Sequence, residues 1–87
     1  MTNEKLRDVI AKAVYEILDP AQHRKIAEAF AKPDFHFDEI TESSMVLTEL
    51  CFQIEEALLI EIETTDLFDN PRLSGFIENI QSKLAKA

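Results

Sequence analysis

The sequence is short of glycine, cysteine and positive charge, and each shortage narrows the structures it can adopt. Its 87 residues include one glycine, one cysteine and no tryptophan. One glycine suits the turns of a small sheet protein poorly, so the composition predicts an all-α fold. The single cysteine, Cys51, cannot form an internal disulfide. The length allows one compact domain, and we expect residues 1–87 to form it.

Basic residues are also scarce, since 9 Lys and Arg stand against 17 Asp and Glu, for a formal net charge of -8. This charge repels nucleic acid and anionic membranes and attracts basic protein patches. No hydrophobic run reaches the roughly 20 residues of a membrane span. The N-terminal residues also lack the pattern of a signal peptide. We therefore expect a cytoplasmic monomer that neither binds nucleic acid nor inserts into a membrane.

Apolar residues recur at helical spacing in three long segments. They predict helices over about residues 3–18, about residues 44–59 and from residue 71 onwards. A shorter helix is predicted over about residues 20–31. We expect Phe35 and Phe37 to tuck under the bundle from a loop that contains Pro33.

Capping residues predict where two of these helices begin. Asp19 precedes Pro20, and Gln22 is placed to complete a capping box. In the same way, Asn70 is expected to cap the last helix and Pro71 to occupy its first position. Between these starts, residues 60–63 are predicted to be an extended connection and residues 66–70 one helical turn.

Two motifs resemble the acyl carrier protein family. The family pattern Leu-Gly-x-Asp-Ser-Leu, followed by Glu-Leu, is similar to residues 40–45 followed by Glu49 and Leu50. The segment Asp-Leu-Phe-x-x-Pro of assembly-line carriers resembles residues 66–71. The resemblance implies a small four-helix bundle of three long helices and a short one, with an additional short helix in the long first loop.

The resemblance also implies a cofactor and a class of partner. Ser44 aligns with the serine that carries a covalent 4'-phosphopantetheine arm, whose thiol holds acyl or aminoacyl groups as thioesters. The implied partners are a phosphopantetheinyl transferase and acyl-transferring or condensing enzymes of fatty acid, polyketide or specialised lipid biosynthesis. These partners supply the catalysis, so the domain is not expected to be an enzyme.

The attachment motif departs from the family pattern, because Ser43 replaces the aspartate, Thr41 the glycine and Met45 the leucine. Ser43 is therefore a rival for the modified position. We favour Ser44, since it keeps the family's distance to Glu49, and we expect Ser43 to cap the helix.

The helix over residues 44–59 has two predicted faces. Its outer face is implied by the resemblance to bind partners and consists of Met45, Glu49, Phe52 and Glu56, bordered by Glu55. A second set is predicted to form the core and, by resemblance, an acyl-sheltering pocket: Leu47, Cys51, Ile54, Ile62, Leu67, Phe76, Ile77 and Ile80. Phe52 is the expected anchor for a partner, because it is an aromatic side chain beside the predicted arm.

Other chemistries find little support in the sequence. The chain's two histidines and Cys51 lack metal-ligand spacing, so we expect no metal site. Ser44, His36 and Asp38 are residue types of a hydrolase, but no nucleophile-elbow motif accompanies them. Two alternatives to a carrier stay open: a carrier-like adaptor without the arm that acts as an acidic interaction module, and an unrelated helical-bundle subunit.

Overall fold

The computed structural model describes residues 1–86 and is all-α, as the sequence predicts. The helices are α1 (Asn3–Ile17), α2 (His23–Phe30), α3 (Ser44–Leu58), α4 (Thr64–Asp69) and α5 (Leu73–Lys86). Two 3-10 turns, Pro20–Gln22 and Phe37–Glu39, precede α2 and α3. No helix within this part of the chain is both long and apolar enough to cross a membrane.

One contiguous hydrophobic core forms where α1 packs against α3 and α5 closes the other side. The apolar stripes that the sequence places on the three long helices supply most of it. Its fully buried aliphatic side chains are Leu6, Ile10, Ile26, Leu50, Ile54, Leu67, Leu73 and Ile80. No charged or polar side chain is buried in residues 1–86, so the interior of the domain is held together by apolar packing.

The segment before α3 enters the core through its aromatic residues. Phe35 and Phe37 are each 1% exposed and pack edge to face, with ring centroids 5.3 Å apart. This contact extends to Phe30 at 4.8 Å and to Phe76 at 5.8 Å. Burial of Phe35 and Phe37 is as expected from the sequence, and their ring contacts join α2 to α5.

The predicted cap of the second helix is wrong. Asp19 makes no side-chain hydrogen bond at this position, and Pro20 opens a 3-10 turn rather than an α-helix. The Gln22 N–H instead donates to the Asp19 carbonyl at 2.8 Å, which closes the turn through the backbone. As a result α2 begins only at His23.

The predicted start of the last helix is also wrong, since α5 begins at Leu73 rather than at Pro71. The Phe37 N–H donates to the Pro71 carbonyl at 2.7 Å, and the Leu73 N–H donates to the Phe35 carbonyl at 2.9 Å. These two bonds hold residues 71–73 extended beside residues 35–37. Asn70 instead ends α4, where its N–H donates to the Asp66 backbone carbonyl.

Asp34 caps α5 in place of Asn70. One carboxylate oxygen accepts from the Ser74 N–H at 2.8 Å, and the other accepts from the Ser74 hydroxyl at 2.9 Å and from Arg72 Nε at 3.1 Å. Mainly because of the Ser74 N–H bond, the pKa of Asp34 falls from 3.8 to about 2. The cap thus comes from a residue 40 positions earlier in the chain.

Candidate functional site

Ser43 is the N-cap of α3, as the sequence predicts. Its side-chain oxygen accepts a hydrogen bond from the Val46 N–H at 3.3 Å, and its own N–H donates to the Thr41 hydroxyl at 3.1 Å. Serine is well suited to this position because its hydroxyl satisfies a backbone N–H that the helix leaves free. The hydroxyl of Ser43 is therefore engaged in holding the helix start.

Ser44 lies one residue further on and is the first residue of α3. It is exposed, and its hydroxyl makes no hydrogen bond to any residue within 1–86, while its carbonyl accepts from the Thr48 hydroxyl at 2.8 Å. The two serines thus have different environments. Ser43 is a structural cap, and Ser44 presents a free hydroxyl at the positive end of a helix.

An open groove of about 270 Å³ begins at Ser44 and follows the outer face of α3. It is lined by Ser44, Met45, Thr48, Glu49 and Phe52. Met45 is 82% exposed and Phe52 is 57% exposed, so two large apolar side chains face solvent beside the free hydroxyl. Most side chains of this size are buried in a folded domain, so this pair needs an explanation other than stability.

The carboxylates of the predicted partner-binding face are available for contacts. Glu49 and Glu56 are exposed and Glu55 is half-buried. Within residues 1–86 none of the three takes part in a salt bridge. The outer face of α3 therefore combines apolar side chains with free negative charge.

The eight residues of the predicted core are packed together as a core. Seven are buried and Leu47 is half-buried: Cys51, Ile54, Ile62, Leu67, Phe76, Ile77 and Ile80 are the buried members. Ile54 and Ile77 line surface grooves, and none of the eight lines the groove that begins at Ser44. This set accounts for stability, and an acyl-sheltering pocket remains a prediction.

Cys51 is suited to packing rather than to nucleophilic chemistry. The side chain is 1% exposed, and burial raises the pKa of its thiol to about 11, with a further contribution from the charges of Glu55 and Asp66. A thiol with so high a pKa carries very little thiolate at neutral pH. Cys51 therefore behaves as a small apolar residue on the inner face of α3.

The residue types of a hydrolase do not assemble around Ser44. Nδ1 of His36 lies 2.7 Å from a carboxylate oxygen of Asp38 and 3.1 Å from the Asp38 backbone nitrogen. No hydrogen bond joins Ser44 to either residue in the described chain. Likewise, no cluster of three or more His, Cys, Asp and Glu side chains in residues 1–86 is placed to hold a metal ion.

Leu59 is a surface residue that the sequence reasoning missed. It follows α3 in the left-handed conformation, with φ 55° and ψ 46°, and its side chain is 88% exposed. Sequence spacing alone carries a signal, because Met45, Phe52 and Leu59 are seven residues apart. A helix over residues 44–59 would place these three side chains along one side of it, but the structure ends α3 at Leu58, one residue before Leu59.

Comparison of the chain with protein-family models, with curated proteins and with solved structures finds no match.

Proposed function

We propose that this chain is an acyl carrier protein that holds acyl or aminoacyl groups as thioesters on a phosphopantetheine arm attached to Ser44. The observation that carries the proposal is the difference between the environments of Ser43 and Ser44. Ser43 caps α3, which leaves the neighbouring Ser44 hydroxyl exposed and without a hydrogen bond. A carrier needs one accessible hydroxyl beside a surface that enzymes can bind, and the start of α3 offers both.

The residues at this position fit such an arm. Its phosphodiester would lie at the first residue of a helix of 15 residues, where negative charge is favoured by about 0.3–1 kcal/mol. Glu42 and Glu49 oppose this charge, but both are exposed, so water and salt weaken the repulsion. When bound, the arm would supply the thiol that forms the thioester.

The chain's own residues would position and present the arm. The Ser43 cap fixes the first turn of α3 and with it the Ser44 hydroxyl. The exposed side chains of Met45 and Phe52 would contact the enzymes that load and unload the arm, and the free carboxylates beside them would attract basic patches on those enzymes. On this proposal the bundle is of the acyl-carrier type, with α2 as an additional helix in the loop between the first two long helices.

The test is the intact mass of the protein after incubation with coenzyme A and a broad-specificity phosphopantetheinyl transferase. We expect one phosphopantetheine to be added and peptide mapping to locate it on Ser44. Ser44→Ala should abolish the addition, and Ser43→Ala should retain it. Addition that persists in Ser44→Ala would assign the arm elsewhere.

Two further variants separate the cap from the chemistry. Ser43→Ala should lower the free energy of unfolding by about 1 kcal/mol through loss of the cap, and Ser44→Ala should leave it unchanged. Ser43→Asp keeps a good cap and restores the acidic residue of the family pattern. We expect Ser43→Asp to accelerate attachment of the arm.

The second candidate is an adaptor that lacks the arm and binds partners through the same acidic face. The observation that favours it is Ser43, which stands where the family pattern has its aspartate. If several transferases modify neither the wild type nor Ser43→Asp, the result would support the adaptor. Modification of Ser43→Asp alone would point to a carrier that has lost its arm by a single substitution.

A further inference from the structure

We propose that His36 is a pH-dependent cap of the 3-10 turn Phe37–Glu39, which lies before α3. In the neutral imidazole, Nδ1 accepts a hydrogen bond from the Asp38 N–H. When the imidazole gains a proton, Nδ1 donates to the Asp38 carboxylate instead, and the Asp38 N–H loses its partner. This inference concerns the connection that leads to α3, and it holds whether or not Ser44 carries an arm.

Two contacts of the same ring nitrogen make opposite demands on it. Nδ1 of His36 lies 3.1 Å from the Asp38 backbone nitrogen, whose N–H donates to it, and 2.7 Å from a carboxylate oxygen of Asp38. Nδ1 can accept from the N–H only when it carries no proton, and it can donate to the carboxylate only when it carries one. The proton on Nδ1 therefore selects between two groups of the same residue.

A capping box favours the state in which Nδ1 carries no proton. The His36 N–H donates to the Glu39 carboxylate at 2.8 Å, while the His36 side chain accepts from the Asp38 N–H. Mainly because of its bond to Lys32, the pKa of Glu39 is lowered, so Glu39 stays ionised at mildly acidic pH. Its half of the capping box thus persists when His36 gains a proton, and only the half that His36 supplies is lost.

The charges around His36 make the protonated state a weak replacement for the cap. The charged groups that contact His36 directly or through one neighbour are Asp38, Glu39, Lys32, Arg72 and Asp34. His36 and Arg72 are opposite each other in an antiparallel β-bridge, so a proton on His36 opposes the Arg72 guanidinium. Asp34 offsets part of this repulsion, since it accepts from Arg72 Nε at 3.1 Å. The Asp38 side chain is 59% exposed, so water screens its ion pair with the protonated ring.

Loss of the cap acts on a turn that also belongs to the core. Phe37 in the turn and Ile40 directly after it are both buried. The turn keeps backbone hydrogen bonds that do not involve the imidazole, from the Glu39 N–H to the His36 carbonyl at 2.9 Å and from the Ile40 N–H to the Phe37 carbonyl at 3.0 Å. Protonation of His36 is therefore expected to loosen residues 36–40 locally and to leave the domain folded.

The test compares the protein at pH 8 and pH 5 by NMR, because histidine side chains ordinarily gain a proton in this range. Proton–nitrogen correlation spectra of the imidazole show which ring nitrogen of His36 carries a proton. Amide hydrogen exchange, corrected for the intrinsic effect of pH, measures the protection of the Asp38 N–H. We expect Nδ1 to be unprotonated at pH 8 and protonated at pH 5, and the protection of the Asp38 N–H to fall by about fivefold, as expected for the loss of one hydrogen bond.

His36→Asn removes the pH dependence but not the cap, because asparagine offers a neutral oxygen to the backbone at every pH. The Asp38 N–H of this variant should be equally protected at pH 5 and pH 8. His23→Gln is the matched control, since His23 is the other histidine of the chain and its Nε2 lies 3.2 Å from the Tyr15 carbonyl. This control should keep the fivefold change.

Two results would overturn the proposal. A proton on Nδ1 at pH 8 would mean that His36 donates to the Asp38 carboxylate at both pH values. A change in Asp38 protection that is as large in His36→Asn as in the wild type would assign the pH dependence to another group. The first measurement uses the wild type, so it decides the matter even if His36→Asn does not fold, and neither result depends on whether a transferase modifies Ser44.

Discussion

Residues 34–37 and the outer face of α3 are built from similar side chains, carboxylates and large apolar groups, yet the fold uses them in opposite ways. In the first region Asp34 caps a distant helix and two phenylalanines are buried. On the second, Phe52 is 57% exposed and the carboxylates of Glu49 and Glu56 form no salt bridge in residues 1–86. The contrast shows which acidic and aromatic residues stabilise the domain and which stay exposed on its surface.

The largest expected difference between the two regions is in the unfolding free energy that is lost when a phenylalanine is replaced by alanine. Phe37→Ala removes a ring that is 1% exposed and contacts Phe35 and Phe76, so the free energy of unfolding should fall by about 3–5 kcal/mol. Phe52→Ala should change it by less than about 0.5 kcal/mol. Urea denaturation followed by circular dichroism measures both. A loss of several kcal/mol in Phe52→Ala would place that ring in the core and break the comparison.

Arg7 is expected to stabilise the connection between α2 and residues 35–37. Its guanidinium donates to the carbonyls of Phe30, Lys32 and Pro33 and lies 5.6 Å from the Phe30 ring centroid. Arg7→Ala leaves carbonyls at the end of α2 without this donor and should destabilise the protein by about 2 kcal/mol. Lys12→Ala removes the same charge from an exposed position on α1 and serves as the control. Equal stability of the two variants would contradict a role for the carbonyl contacts.

The lowered pKa of Asp34 predicts that the stability of the first region depends on pH. Its folded-state pKa is lowered, so its contribution to stability is present above pH 4 and is lost as the pH falls through about 2. At pH 7 we expect Asp34→Ala to be less stable than the wild type by about 1 kcal/mol, the usual effect of losing an N-cap.

The unfolding free energies of the wild type and Asp34→Ala should converge towards pH 2, as measured by urea denaturation across the pH range. Glu56→Ala is the matched control on the outer face of α3, since this carboxylate forms no salt bridge within residues 1–86. The unfolding free energy of Glu56→Ala should match that of the wild type at pH 7 and at pH 2. If Asp34→Ala is still less stable than the wild type by the same amount at pH 2, the Asp34 cap does not depend on the charge of its carboxylate.

The smallest expected effect is a gain in stability at Leu59, the residue that follows α3. Leu59→Gly relieves the left-handed backbone and exposes no core residue, so we expect the unfolding free energy to rise by about 0.5–1 kcal/mol. Thermal denaturation measures the change. A loss of stability would mean that the Leu59 side chain packs against the domain.

Much of the fold could be predicted because it depends on local spacing. The apolar residues of α1 and α3 recur with the period of a helix, and their observed bounds, Asn3–Ile17 and Ser44–Leu58, agree closely with the prediction. The assignment of Ser43 as a cap was predictable for the same reason, since its bond to Val46 spans three residues. The exposed positions of Met45 and Phe52 follow from the same periodicity.

The incorrect prediction of where the last helix begins has a long-range physical cause. Asn70 and Pro71 are a good local start for a helix, but Pro71 and Leu73 form backbone hydrogen bonds with residues 35–37. Asp34 then supplies the cap from a distant part of the chain. Spacing along the chain carries no information about such contacts, and a strong local signal gives way to them.

By itself the sequence determined an acidic, all-α protein with three long amphipathic helices and an outer face on α3 that begins at two serines. Only the tertiary structure decided that Asp34 caps α5, that Phe35 and Phe37 join α2 to α5, and that Leu59 stands exposed in a left-handed conformation. The reason is the range of the interactions. Helical periodicity and caps act over three or four residues, whereas packing and distant caps depend on where the folded chain brings its segments together.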